Sequence, residues 1–392
     1  MVIINEEEKI MRNMKKVLSI LLAGTLVMSA VTGCGTKNGA SGGGDDTFVI
    51  GGLGPLTGEA ASYGVSVKQG AEIAIEEIKE AGGVKVGDKT IQLTMNFKDD
   101  EASEDTAVTA YNALMDEGID ALLGNVTSGA CIAVADLTKE DGILQITPSG
   151  SAMDCTKNDN AFRLCFTDPL QGVTMADYAT GELGKKKIAV IFNSSDEYST
   201  GIKDAFEEEV KAKGGEIVAS EAFAKGDVDF NTQLTTIKGS GAEIIFIPAY
   251  YGDVAYIAQQ AKDLGMTIPF IGSDGWDGVL AQVTDASVLE GSVFLSPFLA
   301  TDPDEAVSSF VKKYEEKYKA TPDQFAADGY DTVYVFKAAL EKAGTTKSED
   351  LIAAMTQIQV KGLTGDVSFN ADGEPDKAAK FVVIKNGEYT AK

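Results

Sequence analysis

The chain of 392 residues contains no histidine, only four cysteines and one tryptophan, and far fewer basic than acidic side chains. Each shortage closes off some chemistry. Without histidine there is no Ser-His-Asp or Cys-His relay, and no imidazole ligand for a transition metal. Carboxylate-only catalysis and a hard-cation site survive that exclusion. The acidic runs Asp99–Asp105 and FNADGEP lack EF-hand spacing, however, and read as solvated faces. No metal and no cofactor is expected. With 34 Lys+Arg against 60 Asp+Glu, the formal net charge is −26. Nucleic acid and anionic lipid would both be repelled by such a surface, so neither is expected as a partner.

A long hydrophobic run is also missing. The stretch VLSILLAGTLVMSAVT, from residue 17 to 32, falls short of the roughly 18–20 apolar residues of a spanning helix. Lys15 and Lys16 precede it and small residues follow, so residues 1–33 read as an export signal. Glu6, Glu7 and Glu8 spoil the basic region, and a start at Met14 would restore it. Val31-Thr32-Gly33-Cys34 resembles the bacterial lipobox, which predicts a lipid anchor on Cys34 at the extracytoplasmic face of the cell membrane. Residues 34–46 are rich in Gly and Ser and read as a flexible tether. In an oxidising compartment a local disulfide between Cys155 and Cys165 is expected, because loop signals lie between them. Cys131 sits in a helical apolar pattern and reads as a core residue.

From residue 47 onward, strand-like and helical runs alternate. TFVIGGL precedes VKQGAEIAIEEIKEAGG, and the rhythm restarts at KKKIAVIFNS. Short β-rich runs between amphipathic helices predict an α/β protein with two doubly wound parallel-sheet lobes. Past residue 300, long helices and a hairpin-like end must pack on lobes already formed, so the chain crosses between lobes more than once.

The turn GPLTGEAASYG after the first strand is glycine-rich, yet it fits neither GxGxxG nor GxxxxGK[ST] and holds no Lys or Arg. It presents Tyr63 where open α/β sheets bind ligands. Equivalent strand ends carry Ser128 in GNVTSG and the Ser149-Gly150-Ser151 turn in ITPSGS. In the second series they carry Tyr198, Tyr250, and Asp274 with Trp276. Hydroxyls and helix N-termini suit a carboxylate, an acid suits an ammonium, and rings suit an apolar body. The set fits a small zwitterionic amino acid.

In order along the chain, GPLTGEAASYG, GNVTSG, EDGILQITPSGS, FRLCFTDPLQG, DEYSTG, PAYYGD, IPFIGSDGW and YDTVYVFKAALEKAG resemble the Leu/Ile/Val-type amino-acid-binding receptors of ABC importers. The resemblance implies the type I periplasmic-binding fold, two lobes joined by three crossovers, and a ligand in the interlobe cleft. It divides the chain into 47–167 plus 298–358 and 168–297 plus 359–392. It implies a monomer, with no catalysis, that delivers an amino acid, branched-chain or otherwise aliphatic, to ABC permease transmembrane subunits. By this likeness Ser128 and Ser151 bind the ligand carboxylate, the Ser149 turn and Asp274 take the ammonium, and Tyr63, Tyr198 and Tyr250 enclose the body. Tyr330 lies near the side-chain pocket and Trp276 sets its width. Ala102 and Thr127 stand where some relatives carry a disulfide, and Asp274 stands where glutamate is common. These departures leave two alternatives open: a binder of an amide, urea derivative or aromatic acid, or a sensor for a separate signalling chain.

Overall fold

The computed structural model describes residues 46–392; the expected signal, the tether up to residue 45 and the lipidation site Cys34 lie outside the described residues. The first series runs β1 (Thr47–Gly54), α1 (Ala61–Glu80), β2 (Val84–Val86), β3 (Lys89–Asp99), α2 (Glu104–Asp116), β4 (Ala121–Leu123), α3 (Ser128–Asp141), β5 (Leu144–Thr147) and β6 (Ala161–Arg163). Its sheet has the order β2-β3-β1-β4-β5-β6. All neighbours are parallel except the β2–β3 hairpin. β1 is buried on both faces from its second residue, which is why TFVIGGLG reads as a continuous apolar run rather than an alternation.

The second series begins with α4 (Asp168–Asp177), followed by β7 (Lys187–Asn193), α5 (Glu197–Ala212), β8 (Glu216–Phe223), α6 (Asn231–Gly239), β9 (Ile244–Ile247), α7 (Tyr251–Asp263), β10 (Phe270–Gly272) and β11 (Val293–Ser296). The chain then returns to the first lobe as α8 (Glu305–Tyr318), α9 (Gln324–Ala343) and α10 (Ser348–Met355), followed by a small ribbon of β12 (Val360–Gly362) and β13 (Gly365–Val367). It ends in the second lobe with β14 (Lys380–Lys385) and β15 (Glu388–Ala391). The second sheet has the order β15-β14-β11-β10-β9-β7-β8. β14 lies antiparallel on β11 and β15 antiparallel on β14; the other pairs are parallel.

Three crossings therefore join the lobes, at 163–168, 296–305 and 367–380. The β12–β13 ribbon packs on α9, where Asp331 accepts from the Leu363 and Thr364 amides. The last crossing thus falls later than residue 358.

The return to the first lobe depends on a close helix crossing. A Cβ on Gly70 of α1 would lie 1.8 Å from the Ala326 carbonyl oxygen, and one on Gly329 of α9 would lie 2.1 Å from that of Val67. Only glycine at both positions lets the two backbones meet. This contact fixes Tyr63, in the first turn of α1, beside Phe325 of α9, with ring centroids 4.2 Å apart. Among the described residues no helix is long and apolar enough to cross a membrane.

Candidate functional site

The carboxyl ends of the strands in both sheets face one cleft, as the sheet topology requires. Tyr63 follows β1, Ser128 follows β4 and Ser149 follows β5; Tyr198, Tyr250 and Asp274 follow β7, β9 and β10. Tyr63 spans the cleft. Its hydroxyl donates to the Gly275 carbonyl at 2.5 Å and accepts from the Tyr251 amide at 3.1 Å. Tyr63 meets Tyr250 edge to face, and Tyr250 stacks on Tyr198 at 4.8 Å. Phe325 completes this aromatic wall.

Asp274 is the acid of the inner cleft. Its carboxylate accepts from the Tyr198 hydroxyl at 2.6 Å, and its amide donates to Gln171 at 3.0 Å. Gln324, at the start of α9, donates to its carbonyl at 2.8 Å. Burial pushes the Asp274 carboxyl up to about 6, with Tyr198 and Gln171 drawing it back. Asp277, pushed up by burial and then by Asp323, rises to about 8. Asp168 is raised well above the usual range by burial, and Asp274 adds to the rise.

On the first-lobe side, where Thr127 and Ser149 border the space, Ser128 lies just behind; its oxygen accepts from the Ser151 and Ala152 amides, both at 3.2 Å, which leaves its proton to donate. The Ser149 hydroxyl is spent on the Val126 carbonyl at 2.7 Å. The Ser151 hydroxyl is fully buried and has no partner; it faces Asp168 closely enough to influence that carboxyl but is not aligned to bond it. The Thr127 hydroxyl is likewise buried without a partner. Gly150 is scaffold: its amide donates to Thr147 at 2.7 Å and its carbonyl accepts from Arg163 at 2.8 Å. The inner space, bounded by Tyr63, Thr127, Ser149, Tyr198, Asp274 and Phe325, measures 10 Å3. It borders a chamber of 490 Å3, with Thr127 and Tyr250 common to both walls.

The family described as periplasmic binding protein matches residues 47–388, nearly all of this architecture. The chain belongs to this family. A Leu/Ile/Val-binding protein homologue of Brucella melitensis is 32% identical over 308 residues, covering 78% of this chain and 82% of the relative. The branched-chain amino acid transporter substrate-binding protein LivJ of Streptococcus pneumoniae, solved with isoleucine, is 31% identical at a TM-score of 0.82. That match covers 88% of this chain and 98% of LivJ. A solute-binding protein of an ABC transporter from R. palustris, solved with benzoate, is 25% identical at a TM-score of 0.79, covering 88% and 95%. The fold over the matched residues is the type I periplasmic-binding fold of this family of extracytoplasmic binding proteins.

Within this family framework three expectations need correction. Trp276 does not border the cleft. It is fully buried under the second sheet, its indole donates to the Ile247 carbonyl at 2.8 Å, and it packs toward Phe294. A Cβ on Gly272 would lie 2.1 Å from its ring, so glycine in β10 makes room for it. Tyr330 faces away from the cleft, with its hydroxyl on Glu77 at 2.6 Å. Cys155 and Cys165 are free buried thiols; Cys155 lies against Cys131 instead, and Arg163 between them in sequence turns to other partners.

Sequence reasoning missed Phe325, Gln171, Thr127 and Arg163. Arg163 is buried and binds Glu374 through two nitrogens, at 2.7 and 2.9 Å, while holding the Gly150 and Ala152 carbonyls. An arginine inside FRLCF was the available signal, since a buried guanidinium needs several acceptors at once.

Proposed function

We propose that the chain is the substrate-binding component of an ABC transporter, capturing an α-amino acid by interlobe closure and delivering it to membrane permease subunits. One observation carries the reading. A buried carboxylate, Asp274, borders an aromatic-walled space whose other side is formed by Thr127 and Ser149, with the Ser128 hydroxyl and the unpartnered Ser151 hydroxyl next to them in the chain. A zwitterion would answer both walls: its ammonium offsets Asp274 and its carboxylate takes the Ser128 proton and the free Ser151 hydroxyl. The relatives named for Leu, Ile and Val support an aliphatic ligand. Closure would pivot on the three crossing segments.

A thermal-shift screen of the mature, monomeric chain against twenty amino acids tests this. Ligand at about 100 times its dissociation constant should add roughly 2.7 kcal/mol of stability. The four rings and the benzoate-bound relative favour a second reading, an aromatic acid. It predicts a shift with benzoates and none with amino acids, although such a ligand leaves Asp274 buried without a cation.

The lipid anchor belongs to the same proposal. Lys15, Lys16, the apolar run and the lipobox-like Val31-Thr32-Gly33-Cys34 support it. Cys34→Ser should release the protein from membranes or leave it unprocessed; a correctly cut, membrane-bound variant would refute the anchor.

A further inference from the structure

Beyond Thr127 and Tyr250 lies the 490 Å3 chamber, and its charge is one-sided. Seven acidic side chains and a single lysine, Lys225, border it. Glu197 of the second lobe and Glu104 of the first both reach Gly129: their carboxylate oxygens lie 3.3 and 3.6 Å from where a Cβ on that residue would stand. Among the described residues no ion pair reaches Glu59, Glu104, Asp196, Glu197 or Asp253. Lys225 spends a proton on the Ala102 carbonyl at 2.8 Å instead of pairing with an acid. Acid alone would be a solvated rim. The Thr127 hydroxyl is a separate observation: 6% exposed and without a partner, it stands on the wall shared with the inner cleft. Among the described residues no three acids gather tightly enough to hold a metal ion, so the carboxylates surround a volume and not a point. A diffuse ring of one sign suits an extended organic cation.

We propose that this chamber is a second subsite, receiving the positively charged end of a long side chain, so that diamino acids are bound in preference to neutral chains of equal length. The inference rests on the amino-acid reading above. With the α-carbon in the inner cleft, a side chain leaving between Thr127 and Tyr250 passes an acceptor hydroxyl before it reaches the acids. Burial pushes both Asp196 and Asp253 up to about 7; Glu197 adds to the first while Lys225 opposes, and Glu59, Asp196 and Asp227 add to the second. A cation stabilises the ionised forms, so the preference should strengthen above pH 7 and fade below it.

Calorimetry with the mature chain at pH 8 and low salt tests the subsite. Lysine is compared with norleucine, which matches it except for the terminal ammonium, and leucine serves as the reference. Lysine should bind at least tenfold more tightly than norleucine. The ratio should fall toward one in the Glu104→Gln/Asp196→Asn variant, in which Asn, a residue favoured at helix N-caps, takes the N-cap position of α5. Lysine no tighter than norleucine while leucine still binds, or a ratio unmoved by the double variant, overturns the subsite and leaves the amino-acid reading standing. Binding of none of the three overturns both.

Discussion

Asp274 lies at the meeting point of the two walls, and its titration should be visible in binding. Its folded, unliganded carboxyl is raised to about 6 by burial, against about 4 in an unfolded chain. A raised acid binds protons more readily folded than unfolded, so its burden on stability grows as pH rises from about 4 through 6. An ammonium ligand needs the ionised form. Affinity should therefore be full above pH 6 and about tenfold weaker at pH 5 than at pH 7. Asp168, Asp277, Asp328 and the hydroxyls of Tyr63, Tyr198 and Tyr250 also sense this charge. Asp274→Asn isolates its share. The variant should lose about 2–5 kcal/mol of binding, roughly 30- to 5,000-fold, together with most of the pH dependence. Ser128→Ala should lose less, about 1–3 kcal/mol, mainly because the Ser151 and Ala152 amides lose their acceptor. Calorimetry at three pH values checks both; equal, pH-independent losses would mean that Asp274 only braces its loop. What the sequence made legible was position along strands: an acid or hydroxyl just past a strand end has one place to go. Rotation within a turn was not legible. Tyr330 and Phe325 are five residues apart on α9, which at about 100° per residue puts them on different faces. Trp276 follows Asp274 by two residues in a single tight turn, and that is enough to send it into the core.

At the scale of elements, the Asp274 turn depends on what lies beneath it. β10 has only three residues, and its last, Gly272, lies against the Trp276 indole. Gly272→Ala should force the ring outward and cost about 1–3 kcal/mol, as overpacking does. Because Asp274 sits between them in sequence, ligand affinity should fall as well. Adding Trp276→Leu should recover part of the stability, a coupling readable as a double-mutant cycle in thermal unfolding. Simple addition of the two losses would show that the contact is not strained. Alternation of strands and helices was legible from period and length. The α1–α9 crossing was not, because Gly70 and Gly329 lie far apart in sequence and neither signals a partner. Nor was the contact of the free Cys155 thiol with Cys131: nearness in sequence to Cys165 says nothing about which way a short helical turn points its thiol.

For the whole molecule, closure is written in a few bonds between lobes. Tyr63 donates to Gly275 and accepts from Tyr251, the Tyr251 hydroxyl accepts from the Ser62 amide, and Lys225 reaches Ala102. Tyr63→Phe removes two of these while keeping the ring among its aromatic neighbours. It should leave the fold intact yet weaken ligand-driven closure by about 1–3 kcal/mol, or 5- to 150-fold in affinity. Small-angle scattering across a ligand titration would show the midpoint moving to higher concentration; an unchanged midpoint would mean these bonds are remade with water in the open form. The placement of β14 has a consequence of a different kind, for biogenesis. β11 is the fully buried strand VFLS, and the strand that seals its outer edge arrives only with residues 380–385, after the chain has gone back to complete the other lobe. Until those final residues emerge, a bare apolar edge waits for a partner, and any passing strand can pair with it. The nascent chain must therefore be shielded until residues 380–385 have been made, and a chain cut before them would carry that bare edge permanently.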